Sequence, residues 1–161
     1  MLNEPAPKAA AESATEMVEV VLPNDANPLG FMLGGNVMRL IDLAGAVAAI
    51  RHSRIPMVTA SVDGLDFINP VRVGDLIILK ARVTATFKTS LEVEVLVYSE
   101  QVLTGNSRLT SRAHLTFVTV EQNGVRSRVP PLLVETDEER KIEEAARTRH
   151  AAHLARRDAR R

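Results

Sequence analysis

The chain has 161 residues, 45% of them apolar and 25% charged, which is enough for one domain with a real core. Lys plus Arg and Asp plus Glu both total 20, and aromatic residues make up 3% with no Trp. This argues against a general polyanion binder and against base-stacking platforms for nucleic acid. Cys is absent, which excludes disulfides, thiolate nucleophiles and Cys-ligated metals.

The sequence opens with Ala, Pro, Glu and Ser without periodicity, so residues 1–15 read as a flexible N-terminal tail. There is no basic region followed by an apolar signal core, and no apolar run is long enough to span a bilayer. A cytoplasmic chain without a membrane partner is the expectation. Glu16 to Leu22 carries Val18, Val20 and Val21 and predicts a strand. Pro23 to Leu33 is loop, and Gly34 to about His52 is a helix rich in Ala and Gly. Small residues let such a helix sit close to whatever wraps it.

After Pro56 come four strands: Val58–Phe67, Leu76–Thr86, Leu91–Tyr98 and Leu109–Val120. Turns fall at Asn69-Pro70, Gly74-Asp75, Gly105-Asn106 and Asn123-Gly124. The Leu91–Tyr98 segment alternates cleanly, with Leu91, Val93, Val95 and Val97 opposite Glu92 and Glu94. From Glu135 the composition shifts to Ala, Arg and Glu. Acids near the start and Arg156, Arg157, Arg160 and Arg161 at the end suit a helix dipole. One domain over residues 16–134 and a charged helical tail over 135–161 follow. The class is α+β, one long helix against a curled antiparallel sheet of about five strands.

The chemistry concentrates between Pro23 and Gly45. Gly30, Gly34 and Gly35 remove side chains at a helix start, where N–H groups lack intrahelical partners and can hold an anion or a developing oxyanion. A tight turn would explain the glycines equally well. Asp42 lies seven residues beyond Gly35 and so returns to nearly the same helix face. Its apolar neighbours favour a buried, functional acid; an ion pair with Arg39 facing solvent is the plainer alternative. Asn27 could orient a water or a carbonyl, or simply start the turn before Pro28. Lys88-Thr89-Ser90 sits at a hairpin, where a cation and two hydroxyls could meet a phosphate. Arg51, Arg54, Arg72, Lys80 and Arg82 form a possible basic rim. His52 suits the last helical turn, His114 a structural place in a strand. His150 and His153 make a poor metal case, and no metal site is expected.

Asn27-Pro-Leu-Gly30, Leu33-Gly34-Gly35 and Ile41-Asp42-Leu-Ala-Gly45 together resemble the start of the hotdog-fold acyl-CoA thioesterases, of the YciA and brain acyl-CoA hydrolase type. Val58-Thr59-Ala60-Ser61-Val62-Asp63, Phe67-Ile68-Asn69-Pro70-Val71, Gly74-Asp75 and Thr89-Ser90-Leu91-Glu92-Val93 continue the likeness in order. It spans about Val20 to Val120. It implies a long helix wrapped by an antiparallel sheet, a homodimer assembled into a homohexamer, and hydrolysis of acyl-CoA to CoA and a carboxylate. Asp42 would match the catalytic carboxylate, Asn27 an amide supplied by the partner subunit, and Gly35 the oxyanion donor. Gly34, Asn36, Lys88, Thr89 and Ser90 would contact substrate. The chain departs from many relatives at Phe87-Lys88, where a Gly is frequent, and at Phe31, where a polar residue is frequent.

The sequence therefore predicts an acyl-CoA thioesterase that needs no metal or bound cofactor. Asp42 would act as general base or as nucleophile. The alternatives are a non-catalytic acyl-CoA-binding hotdog protein and a hotdog enoyl-CoA hydratase. Overfilling the helix face with Ala46→Leu is expected to disrupt its packing.

Overall fold

The computed structural model describes residues 4–161. Its element order is β1 (Lys8–Ala9), β2 (Thr15–Val20), α1 (Gly34–Ser53), β3 (Met57–Phe67), β4 (Leu76–Thr86), β5 (Ser90–Glu100), β6 (Ser107–Thr119), β7 (Leu132–Leu133) and α2 (Asp137–Asp158). Five strands form one antiparallel sheet in the order β2-β4-β5-β6-β3, so β2 and β3 are its open edges.

Side-chain alternation builds two chemically different sheet faces. Ile77, Leu79, Val83, Leu91, Val93, Val95, Leu115 and Phe117 turn inward and are fully buried under α1. The helix answers with Leu40, Ile41, Ala44, Ala48 and Ala49, also buried. Closest approach is at Gly45, where an added Cβ would come within 3.2 Å of the Phe117 ring. Ala46, one residue on, is half-buried and also packs against the core.

The outer face is polar and covered by α2. Arg149 donates from Nε and Nη2 to the two carboxylate oxygens of Glu92, at 3.1 and 2.8 Å. Glu92, on the β5 face opposite Leu91 and Val93 as alternation places it, is buried, and Thr84 also donates to it at 2.7 Å. Farther along α2, His153 and Arg156 approach Asp63 of β3 at 3.6 and 3.5 Å. The start of α2 is fixed by a capping box, with Thr136 Oγ1 accepting from the Glu139 N–H and Glu139 accepting from the Thr136 N–H. The charged segment after Glu135 is helical, as its charge order predicts.

The segment read as a loose N-terminal tail is structured over its described part. Lys8 and Ala9 pair in parallel with Leu132 and Leu133, and Ser13 is fully buried. Composition cannot register this, because the partner strand is two residues long and more than a hundred positions away. Residues 1–3 of that expected tail lie outside the described residues.

Candidate active site

Three elements meet at the site. The loop before α1 is organised by Asn27, whose Oδ1 accepts from the Leu29 and Phe31 N–H groups at 3.0 and 3.2 Å. Its backbone also brackets the turn, with Asn27 N–H donating to Phe31 O and Gly30 N–H to Asn27 O. The turn needs Gly30, whose φ of 80° is left-handed. Asn27 therefore does the turn's work with its carbonyl oxygen. Its Nδ2 group donates to nothing among the described residues.

The helix start is open. Leu33 occupies the N-cap and supplies no side-chain acceptor. Among the described residues neither Gly34 nor Gly35 N–H has a carbonyl partner, and nothing lies within 4 Å of where a Cβ on Gly35 would stand. The Phe67 ring packs 3.5 Å from the equivalent point on Gly34. Asn36 departs from the expectation of a substrate contact: its N–H donates to Leu33 O and its Nδ2 to Asp25 O, at 3.0 and 3.1 Å. It ties the helix to the preceding loop.

Asp42 is not buried by its own chain. The small residues Ala44, Gly45 and Ala48 face the sheet, which turns Asp42 to the opposite side beside Met38, Leu43 and Ile50. Those three apolar side chains are 46%, 43% and 43% exposed. The ion pair with Arg39 does not form; Thr59 Oγ1 donates to Asp42 Oδ1 at 2.6 Å instead. Thr59 carries no signal in the sequence as a site residue. It reaches Asp42 because a bulge between Thr59 and Ser61 sets which side chains of β3 face α1.

The Lys88-Thr89-Ser90 hairpin is held by its backbone. Phe87 N–H donates to Ser90 O, Val129 N–H to Lys88 O, and Thr119 N–H to Thr89 O. Among the described residues the three side chains form no hydrogen bond with the protein. Register brings this hairpin level with the acid: Leu91 opposes Phe117, which opposes Thr59. Two strand spacings separate them, about 10 Å.

The remaining titratable candidates are structural. His52 is fully buried, with Nε2 donating to Pro130 O at 3.0 Å and Nδ1 facing Ser13 Oγ at 3.5 Å. Burial pushes its pKa down, so it is a neutral core residue and not a charged helix cap. His114 donates to Glu94 at 3.2 Å, and Arg82 adds a second contact at 3.0 Å. The hydrogen bond from His114, then Arg82, holds the Glu94 carboxyl down at about 2 against the cost of burial. No basic rim assembles: Arg51 donates to Ala14 O, Arg82 pairs with Glu94, and Lys80 and Arg72 lie over the Tyr98 and Phe31 rings.

The sequence profile of the Thioesterase superfamily matches residues 29–105. The chain is 34% identical over 155 residues to the cytosolic acyl coenzyme A thioester hydrolases of Mus musculus and Homo sapiens. That match covers 95% of this chain but only 41% of theirs, so the chain spans about two fifths of those relatives. A Bacillus subtilis relative, named uncharacterized acyl-CoA thioester hydrolase YkhA, is 34% identical, with 96% of this chain and 95% of that one covered. Among solved structures, a hexameric acyl-CoA thioesterase superimposes with a TM-score of 0.88 at 38% identity, covering 94% of this chain and 97% of that one. A Staphylococcus aureus acyl-CoA hydrolase bound to butyryl coenzyme A and coenzyme A gives 0.86 at 32%, covering 94% and 93%. That hydrolase has also been solved with an Asp, an Asn and a Thr each replaced by Ala.

Proposed function

The chain belongs to the Thioesterase superfamily, and we propose that it hydrolyses an acyl-CoA thioester to a carboxylic acid and free CoA. The observation that carries this reading is the Asp42–Thr59 pair. An exposed carboxylate held at 2.6 Å by one hydroxyl, on the same helix face as an open Gly35 N–H, is a reactive group without a structural task. The Asn, Asp and Thr replaced in the Staphylococcus aureus hydrolase are spaced along that chain as Asn27, Asp42 and Thr59 are here, which supports the assignment.

The thioester carbonyl oxygen is received by the Gly35 N–H, at the positive end of α1. Asp42 either takes a proton from water, whose oxygen attacks the carbonyl carbon, or attacks that carbon itself to give an anhydride that water then opens. In both routes the C–S bond breaks, the sulfur leaves as CoA thiolate and takes up a proton, and the carboxylate product retains one oxygen from water. Thr59 fixes the orientation of the carboxylate. Asn27, with its Oδ1 committed to the turn, offers Nδ2 hydrogens to the water or the carbonyl of a second copy's site. Lys88, Thr89 and Ser90 receive the phosphate-bearing part of CoA. Water, a carboxylate and amide donors complete the reaction without a cofactor.

A second copy closes the site. Met38, Leu43 and Ile50 on α1, with Val62 and Phe67 on edge strand β3, are apolar side chains on the α1 side of the sheet that one chain leaves exposed. Pairing across β3 would cover them and place Asp42 in a groove between copies. The hexamer named for the structure at 38% identity supports dimers assembled further into a hexamer. No helix among the described residues is long and apolar enough to cross a membrane; the cytosolic relatives support a cytoplasmic location.

Thiol release from acyl-CoA esters of graded length tests the reading directly. Turnover with at least one ester is expected. Binding of CoA without thiol release would replace it with a sensor, and hydration of a crotonyl thioester with a hydratase.

A further inference from the structure

We propose that α2 braces the substrate hairpin through a Phe87–His150 stack, making these two side chains positioning residues for CoA binding. The inference rests on the reading of Lys88-Thr89-Ser90 as the CoA contact.

The hairpin tip is short and lacks glycine; Phe87 N–H closes it on Ser90 O at 2.8 Å, while Val129 N–H and Thr119 N–H hold the Lys88 and Thr89 carbonyls, both at 3.0 Å. Its next residue back, Phe87, stacks on His150 of α2 with ring centroids 3.7 Å apart and planes 16° apart. The Arg147 guanidinium lies 5.3 Å from the same ring centroid, and its Nη2 donates to Thr86 O at 3.5 Å. Arg147 is itself held by Glu143 at 2.7 Å. The stack is therefore gripped by two successive turns of one helix.

That helix cannot slide. Arg149 is one residue from His150 and is locked to both oxygens of buried Glu92. Moving α2 along the sheet would strand the Glu92 carboxylate away from water, which is expensive. His153 and Arg156 fix the far end on Asp63. A rigid sheet residue, a rigid helix and an aromatic pair thus form one chain of contacts that ends at the hairpin.

The consequence is entropic. Lys88, Thr89 and Ser90 carry free donor groups; Val129 and Thr119 hold two of their carbonyls, and the stack adds a side-chain hold on the Phe87 flank that narrows the conformers left to the tip. Ordering a freer tip during binding would subtract from CoA affinity. Bracing removes that cost beforehand. The effect belongs to binding and not to the chemical step, because Asp42 and Gly35 sit on α1, on the other side of the sheet.

The test uses the full chain and the variants His150→Ala, Phe87→Leu and His150→Phe. KM and kcat for acetyl-CoA and butyryl-CoA are measured together with the calorimetric Kd of CoA and the melting temperature. His150→Ala and Phe87→Leu are expected to raise KM and Kd in parallel by roughly two- to tenfold, the worth of an aromatic pair. Their kcat should stay within about twofold of the parent, and His150→Phe, which keeps an aromatic face, should restore KM. Folded variants with unchanged KM and Kd, or with lowered kcat at unchanged KM, would overturn the brace while leaving the hydrolase reading standing. Phe87→Leu keeps the apolar body if His150→Ala proves unstable. A parent chain that neither binds CoA nor releases thiol would remove the reading on which the brace depends.

Discussion

Thr59 donates a 2.6 Å hydrogen bond to Asp42, joining the first part of an edge strand to the exposed face of the central helix. This pair separates two roles that one substitution each can distinguish. Asp42→Asn is expected to lower thiol release by about a hundredfold to ten-thousandfold, the range of a lost general base. The folded state should be retained, since Asp42 has no partner in the core. Near-parent turnover by Asp42→Asn would end its role.

Thr59→Val keeps the shape of the side chain and deletes the donor. A hydrogen bond to a charged group contributes about 1.5–3 kcal/mol, so kcat should fall on the order of tenfold or somewhat more. KM and melting temperature should change little. Steady-state kinetics of the purified variant decide this, and a rise in KM at constant kcat would reassign Thr59 to binding.

Glu94 predicts an acid limb in stability. Its folded pKa is lowered to about 2 by the hydrogen bond from His114 and by Arg82, from a reference of 4.5. The unfolded chain therefore binds the proton first. The stabilisation is complete above about pH 4.5 and is lost as pH falls through about 2, with a total on the order of 3 kcal/mol. Urea titrations between these limits should show the loss, and Glu94→Gln should flatten it.

His52 acts at higher pH. Burial lowers its folded pKa, so the unfolded chain takes up a proton that the folded chain resists. Its contribution is present above about 6.5 and declines as pH falls toward its depressed folded value. His52→Leu should remove this slope below about pH 6.5. The same variant should lose stability at pH 8, because the Pro130 carbonyl is left without its donor. An unaltered slope would place the acid sensitivity elsewhere.

Packing of the central helix gives a comparison of neighbours. Gly45→Leu must displace the Phe117 ring from 3.2 Å and is expected to cost at least about 1–3 kcal/mol, seen as a lowered urea midpoint. Ala46 is half-buried and packs against the core, so Ala46→Leu is expected to destabilise less than Gly45→Leu. Equal effects of the two would count against this helix orientation.

The sequence by itself determined the elements that repeat a local period. Strands β3 to β6 and both helices were legible because alternation, a run of small residues and charge order are written within a few adjacent residues. The turn at Asn27 and the open start at Gly35 were legible for the same reason. Side chains joined by register were not. Thr59 reaches Asp42, Glu92 is buried against Arg149, and Lys8 pairs with Leu132 through contacts between residues far apart in the chain. Only tertiary structure decided that Asp42 faces outward, since seven-residue spacing places it with Gly35 but does not say which helix face the sheet covers. Periodicity fixes relative angle along one element; docking fixes what each angle meets.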